Sequence, residues 1–296
     1  MAELSTFEEH RTRLWGVAYR IMGSVADADD AVQETWLRWQ ALPDGAAENP
    51  RAYLTTVISR ICYDQLGSAR SRRETYVGPW LPEPVVGDDR ALDPQDRVTL
   101  DESVGIALLT VLERLTPAER TAFVLHDVFA VPFGEIAEVV GRSPESVRQL
   151  ASRARKHVRA TGTPRRSVDR GQHRRAVDAF LAAVTGGDFD GLMEILDPGV
   201  VWRSDGGGKV TAARIPVAGD EKVARFVHRL ASRGYDPERM AVLVRDVNGA
   251  PGLVFVDTVG EQAAVMSFTV GENGLITGID AILNPEKLRH LDLGAL

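Results

Sequence analysis

Between Arg142 and Arg175 stand eleven lysines and arginines against two acids, Glu145 and Asp169, in a chain whose formal net charge is −7. Positive charge at that density can neutralise phosphates, and its clustering outweighs the acidic sum as a guide to a nucleic-acid partner. Inside this stretch Val147, Leu150, Ala151, Ala154 and Val158 recur at helical spacing, which assigns them to a core face. The opposite face presents Arg148, Gln149, Ser152, Arg155, Lys156 and Arg159. Glu145, Ser146, Arg148 and Gln149 lie at the N-terminal end of that helix, the end that reaches base edges in the major groove. Arg148 and Gln149 have the bidentate chemistry that reads guanine and adenine. Arg153, Arg155 and Lys156, further along, suit phosphate contacts, which add affinity without sequence information.

Such a row of side chains needs a helix-turn-helix to present it, and the local signals supply one. Thr116, Pro117 and Glu119 form a capping box with proline at the first helical position. Ile136, Ala137 and Val140 line one face of a helix that Gly141 can end in the left-handed conformation. Ser143 and Pro144 start the next helix at once.

Other chemistry is sparsely represented. The carboxylates Asp205, Asp257 and Asp280 are available as general bases, but no histidine and carboxylate stand at an informative spacing. His228, between Val227 and Leu230 in a helical pattern, reads as a surface or packing residue. No metal-ligand cluster, P-loop or dinucleotide fingerprint is present, so neither metal nor cofactor is expected. Cys62 is the one cysteine and, flanked by Ile61 and Tyr63, reads as a small core residue. No stretch approaches the roughly 18 uninterrupted apolar residues of a membrane helix. A reducing cytoplasm and no membrane partner are expected.

The 296 residues divide by pattern. Residues 1–75 read as an all-helical domain, and 76–101, with four prolines and several acids, read as an extended linker rather than a packed element. A second helical domain follows at 102–160. From 168 to 296 two helices precede valine-rich alternating segments, with Asn248-Gly249 and Asn273-Gly274 between them as hairpin signals. That last domain is α+β with an antiparallel sheet.

In the first domain Ser24 and Asp27 cap a helix whose Val25, Val32 and Trp39 share a face, leaving Asp30, Gln33, Glu34 and Leu37 elsewhere. An acidic, partly apolar outer face suits a protein partner rather than DNA. In the next helix Leu54, Val57, Ile58, Ile61 and Leu66 form the core stripe, while Arg60, Arg70, Arg72 and Arg73 can meet phosphates. Tyr53 and Tyr63 could stack on bases or serve as core aromatics.

Taken together, EIAEVVGRSPESVRQLASRAR resembles region 4 of the extracytoplasmic-function (ECF) sigma factors, and DADDAVQETWLRWQ with PRAYLTTVISRICYDQLGSARSRRE resembles their region 2. The resemblance implies that Asp30, Gln33, Glu34 and Leu37 bind the clamp helices of the β′ subunit of core RNA polymerase. It also implies that the arginine-rich helix opens the minus-ten promoter element and the helix-turn-helix reads the minus-thirty-five element. Gly67 stands where the family commonly has arginine, and Gln149-Leu150 where many members have serine and arginine, so the promoter sequence does not carry over. Downstream, the chain resembles the subgroup with a SnoaL-like, NTF2-type cone at the C-terminus. That subgroup is marked by WLPEP (Trp80, Leu81, Pro82, Glu83, Pro84), DGGGK (Asp205, Gly206, Gly207, Gly208, Lys209) and an NPDKL-like motif, here Asn284, Pro285, Glu286, Lys287 and Leu288.

The fold expected is therefore two all-α domains plus a C-terminal α+β NTF2/SnoaL-like cone. Two other functions stay open on the sequence: a SnoaL-like cyclase or isomerase, and a helix-turn-helix repressor with a ligand-sensing domain. A small ligand in the cone fits either regulation or catalysis. The proline segment offers Trp80 and Leu81 as apolar anchors that something must cover, and the glycines let another part of the chain approach closely. Lys209 is expected to pair with Glu83 and Asp205 to fix the loop, docking the extension as a built-in regulator.

Overall fold

The computed structural model describes residues 4–43, 45–87, 105–160, 168–234, 238–257 and 263–291, and all but the side chains of 68–74, 233–234 and 263 among them. The chain divides into two compact units, one of residues 1–75 and 108–163, the other of residues 76–107 and 164–296.

The first unit is helical. Helix α1 (Leu4–Met22) ends at Gly23, whose φ of 72° breaks it, and Ser24 starts α2 (Val25–Gln40) by accepting a hydrogen bond from the Asp27 amide. α3 (Pro50–Glu74) completes a three-helix core in which Leu14, Val17 and Ile21 meet Ala31, Val32, Leu54, Ile58 and Leu66. Cys62 is fully buried there, and burial pushes its thiol pKa up, as expected of a packing residue. After α4 (Ile106–Leu112) comes α5 (Pro117–Phe123), started by the Thr116–Glu119 capping box and continued by a π-helical turn over Val124–Val128. α6 (Phe133–Val140) stops at Gly141, with φ 66°, and α7 (Pro144–Ala160) follows two residues later. The helix-turn-helix is thus present where the caps and turn glycine place it.

The second unit is α+β. Helices α8 (Arg170–Gly186), α9 (Phe189–Ile195) and α10 (Asp220–Gly234) accompany a curved seven-stranded sheet. Its strands are β1 (Val86–Gly87), β2 (Leu196–Asp205), β3 (Val217–Ala218), β4 (Met240–Val247), β5 (Ala250–Asp257), β6 (Ala263–Val270) and β7 (Ile276–Ile282), in the order β1-β4-β5-β6-β7-β2-β3. All pairs are antiparallel except β2 with β7. Alternation sends Val200, Trp202, Leu253, Phe268 and Ile279 to a core shared with Val177, Phe180 and Val223 of the helices. The other face carries Val247, Val254, Val265 and Ile282. This is the expected cone.

Two expectations need correction. Asn248 and Gly249 both take positive φ, 51° and 83°, and make the tight β4–β5 hairpin, but at Asn273-Gly274 only the glycine does. There the loop runs over five residues, and Asn273 acts through its side chain, accepting from the Leu275 amide. The second correction is larger. Residues 76–87 are not a free linker: Val86 and Gly87 pair with Val247 and Asp246 as the edge strand, and Leu81 is fully buried against the second face of the sheet.

Candidate nucleic-acid interface and the clasp on the C-terminal sheet

The recognition helix is built as its sequence requires. Val147, Leu150, Ala151, Ala154 and Val158 are buried, which turns Arg148, Gln149, Ser152, Arg153 and Lys156 outward and leaves Ser146 half-buried. Arg148 is held loosely, with its guanidinium 5.5 Å from the Phe133 ring and 3.5 Å from Glu145, both contacts on exposed surface. Such exposed contacts are weak and leave the side chain free to reorient at little cost. Arg155 differs from its neighbours: it leans 3.5 Å from Asp127 and is two-thirds covered, so it is less available to a phosphate.

On α2, Asp30, Gln33 and Leu37 are exposed and Glu34 is half-buried, forming one stripe at helical spacing, with Leu37 57% exposed. On α3, Arg60 is exposed and donates to the carbonyl of Glu138 in α6 at 3.2 Å. Arg70, Arg72 and Arg73 lie among residues whose side chains are outside the described ones. Gly67 faces open space, with nothing within 4 Å of where a Cβ would stand. Tyr53 is half-buried, with its ring 6.0 Å from that of Trp39.

In the second unit the three short motifs converge. Asp205 at the end of β2 is fully buried, and its carboxylate accepts from the Tyr76 hydroxyl at 2.6 Å, the Leu81 amide at 2.8 Å, the Gly207 amide at 3.1 Å and Lys287 Nζ at 2.7 Å. Lys287, 6% exposed, also donates to the Leu81 carbonyl and sits 3.8 Å from the Trp80 ring centroid and 5.0 Å from that of Tyr76. Asn284 caps the short turn that carries Lys287 and donates to the Tyr76 hydroxyl at 2.8 Å. Burial and the Asp205 carboxylate push the tyrosine's pKa up, so it stays a donor. The proline segment is thus clasped by a buried ion pair, Leu81 and Leu288 fill the apolar floor, and His290 Nε2 reaches the Pro84 carbonyl at 2.8 Å.

The glycines serve this approach. Gly207 has φ 58°, and a Cβ there would lie 2.3 Å from Asn284 Nδ2; one at Gly206 would lie 2.5 Å from the Val210 carbonyl. A Cβ on Gly208 would press on Val77 at 3.3 Å. Lys209 does not pair with Glu83 as expected. It binds Glu286 at 2.9 Å across an exposed rim, and that contact holds the Glu286 carboxyl below its usual pKa. Between the glycine loop and Val77-Gly78 lies a cleft of about 290 Å³, with Lys209 and Arg214 on its wall.

The candidate bases do not converge. Asp205 is neutralised by Lys287, and Asp280 by Arg203 through bonds of 2.5 and 3.0 Å. Burial raises the Asp280 pKa against the opposing pull of Arg203. Asp257 lies on the alternate face of its strand, with the helices. His228 is exposed, edge-on to Phe189. Among the described residues no group of metal-ligating side chains gathers, and no helix is long and apolar enough to cross a membrane.

Comparison with known proteins agrees with this architecture. The Sigma-70 region 2 family matches residues 6–72, and the Sigma-70 region 4 family matches residues 106–158. The ECF RNA polymerase sigma factor SigJ of Mycobacterium tuberculosis is 45% identical over 291 residues, covering 96% of this chain and 93% of that protein. The chain belongs to the ECF sigma factors. The probable ECF sigma factor SigI of M. tuberculosis is 36% identical over 97% of this sigma factor and 95% of its own length. The crystal structure of M. tuberculosis SigJ superposes with a TM-score of 0.81 at 42% identity, covering 98% of this chain and 100% of that one. The likeness spans the C-terminal sheet as well as both helical regions.

Sequence reasoning missed Tyr76, which joins Asp205 to Asn284, and the Arg203–Asp280 pair. A tyrosine opening the proline segment was a signal for the first, whereas the second depends on β2 lying beside β7 and has no local signature.

Proposed function

We propose that this sigma factor binds core RNA polymerase through Asp30, Gln33, Glu34 and Leu37 and directs promoter-specific initiation by reading the minus-thirty-five element with α7. Arg148 and Gln149 address bases, and Arg153 and Lys156 address phosphates. The observation that carries this reading is the two-faced recognition helix, with five apolar residues buried and the Arg148, Gln149, Ser152, Arg153 and Lys156 row uncovered. α3, with Arg60 and the arginines beyond it, serves the minus-ten element.

The C-terminal domain is a regulator that works through the clasp. A ligand in the cleft beside Gly206 and Gly208 would bear directly on Val77 and Gly78. Docked or released, residues 76–87 set the length of chain left between region 2 and region 4, so a ligand preferring one state shifts initiation. The test is run-off transcription with core polymerase on promoters that include the gene's own. Full chain, a truncation after residue 166 and Trp80→Ala are compared. The proposal expects defined start sites from the full chain and altered output from both variants. No binding to core enzyme sinks the promoter reading, and unchanged output from both variants sinks the regulatory one.

A further inference from the structure

Strand β2 ends at Asp205, and the loop beyond it turns back at once, with the Lys209 and Val210 amides both donating to the Gly206 carbonyl at 2.9 and 3.2 Å. The docked proline segment stands opposite. A Cβ on Gly208 would lie 3.3 Å from Val77, and one on Gly78 3.6 Å from Arg214 Cα. The cleft of about 290 Å³ therefore takes one wall from the loop and the other from Val77 and Gly78. Lys209, Thr211 and Arg214 line it from the loop and Ser204 from β2, and among its described lining residues there is no carboxylate and no aromatic ring. Ser204 is 3% exposed, and its hydroxyl accepts from the Trp202 indole N–H at 2.8 Å, which leaves the hydroxyl proton to donate. Arg214 is exposed and makes no ion pair among the described residues. The Lys209–Glu286 pair joins side chains 54% and 48% exposed, so it is weak and exchangeable. We propose that this cleft binds a small aliphatic phosphate monoester, held by Arg214 and Lys209, and that the bound phosphate fastens the proline segment to the sheet.

The donor set selects the charge. Two cations match the two negative charges of a phosphate monoester, whose terminal oxygens can take the guanidinium fork, the ammonium and a hydroxyl together. A single carboxylate would leave one cation uncompensated. The volume selects the size, since ligand sites run from roughly 300 to 1000 Å³ and this one admits a compact molecule. With no ring on its wall, the cleft offers a nucleobase no stacking surface. The two walls select the state. The cleft is complete while Val77 and Gly78 are docked, so a molecule bound in it favours docking by mass action. Lys209 serves one acceptor at a time, so the phosphate and the Glu286 carboxylate compete for it. The effect on transcription rests on the regulatory reading proposed above, whereas the site itself rests on the cleft.

Isothermal titration of the full chain with glycerol 3-phosphate, inorganic phosphate and adenosine monophosphate tests the site. Glycerol 3-phosphate should bind once per chain, more tightly than inorganic phosphate or the nucleotide. Arg214→Gln, at an exposed position, should weaken it about tenfold or more, and Glu286→Gln, which frees Lys209, should tighten it several-fold. Hydrogen exchange of the Leu81 peptide should slow as glycerol 3-phosphate is added, by about 100-fold at about 100 times its Kd. No binding of glycerol 3-phosphate overturns the proposal, as does equal binding of either other probe or an Arg214→Gln chain that binds like the parent. Binding that leaves exchange of the Leu81 peptide unchanged overturns it as well. A Glu286→Gln chain no tighter than the parent removes Lys209 from the site. Binding and protection with run-off transcription unchanged would sink the regulatory reading alone and leave the phosphate site standing.

Discussion

Asp205→Asn removes the charge on which four donors converge while keeping the side chain's size. Lys287 is then left as a cation with 7% side-chain exposure beside the Trp80 and Tyr76 faces and the Leu81 carbonyl, without its carboxylate. Breaking a buried pair by removing one partner typically costs about 3 to 5 kcal/mol. At about 1.4 kcal/mol per tenfold, that is a factor of about 100 or more in the equilibrium for lifting residues 76–87 off the sheet. Hydrogen exchange by mass spectrometry reads this directly, because the Leu81 amide donates to Asp205 itself. Its peptide should exchange about 100-fold faster in the variant, with α1–α3 unaffected. Adding Lys287→Met, which removes the orphaned charge, should recover a large part of the protection, since the main cost of the single variant is the buried cation left without its counter-ion. A Leu81 peptide within about threefold of the parent, or a double variant no better protected than the single one, would refute the ion pair as the holding element.

Arg148→Ala and Gln149→Ala should each cost about 1 to 3 kcal/mol of discrimination at one base position, whereas Arg153→Ala or Lys156→Ala should weaken cognate and scrambled duplexes alike and flatten the salt dependence. Equal losses on both duplexes for all four would remove the reading role from Arg148 and Gln149. Gly207→Val combines a left-handed φ of 58° with a Cβ 2.3 Å from Asn284 Nδ2, so it should release the proline segment and raise proteolysis within 76–87; a protease map identical to the parent's would contradict the close approach. His173, at the start of α8, is buried with Nε2 unpartnered, and burial, reinforced by Arg170, holds its pKa below the usual 6.5 against the pull of the Pro251 carbonyl and Asp246. The unfolded chain therefore takes up the proton first, and stability should fall as pH drops from about 7 through 6.5 and below. Melting curves from pH 7.5 to 5.5 should show this slope, and a His173→Gln chain that keeps the full slope would assign it elsewhere.

What the sequence discloses follows the range of the interactions. The helix-turn-helix was legible because its signals are local: a capping box within four residues, a turn glycine, and a five-residue apolar stripe with its charged reverse. The three motifs of the clasp were legible as motifs, and the approach of the glycine loop to the proline segment was anticipated, but neither the pairing nor the part of the third motif in it. Lys209 was assigned to Glu83 although Glu286 is its partner, and Lys287, which makes the central ion pair, looked like one more charged residue in a turn. The two-residue strand β1 has too few residues to show alternation, so residues 76–87 read as linker while they form the sheet's edge. The contact of Arg13 with Phe129 left no trace, since it spans 116 residues and arginines on helices read first as solvated charge.

The clasp also has a place in time. Leu81 and Lys287 are 206 residues apart, so at a synthesis rate of about 5 to 20 residues per second the proline segment leaves the ribosome roughly 10 to 40 seconds before the lysine that fastens it. Both helical regions are complete well before that point, and helical units of this size fold far faster than the remaining sheet is made. Each newly made molecule therefore passes through an interval in which its promoter-reading half is folded and its proline segment is still unfastened. A nascent chain stalled before Lys287 would hold that state indefinitely.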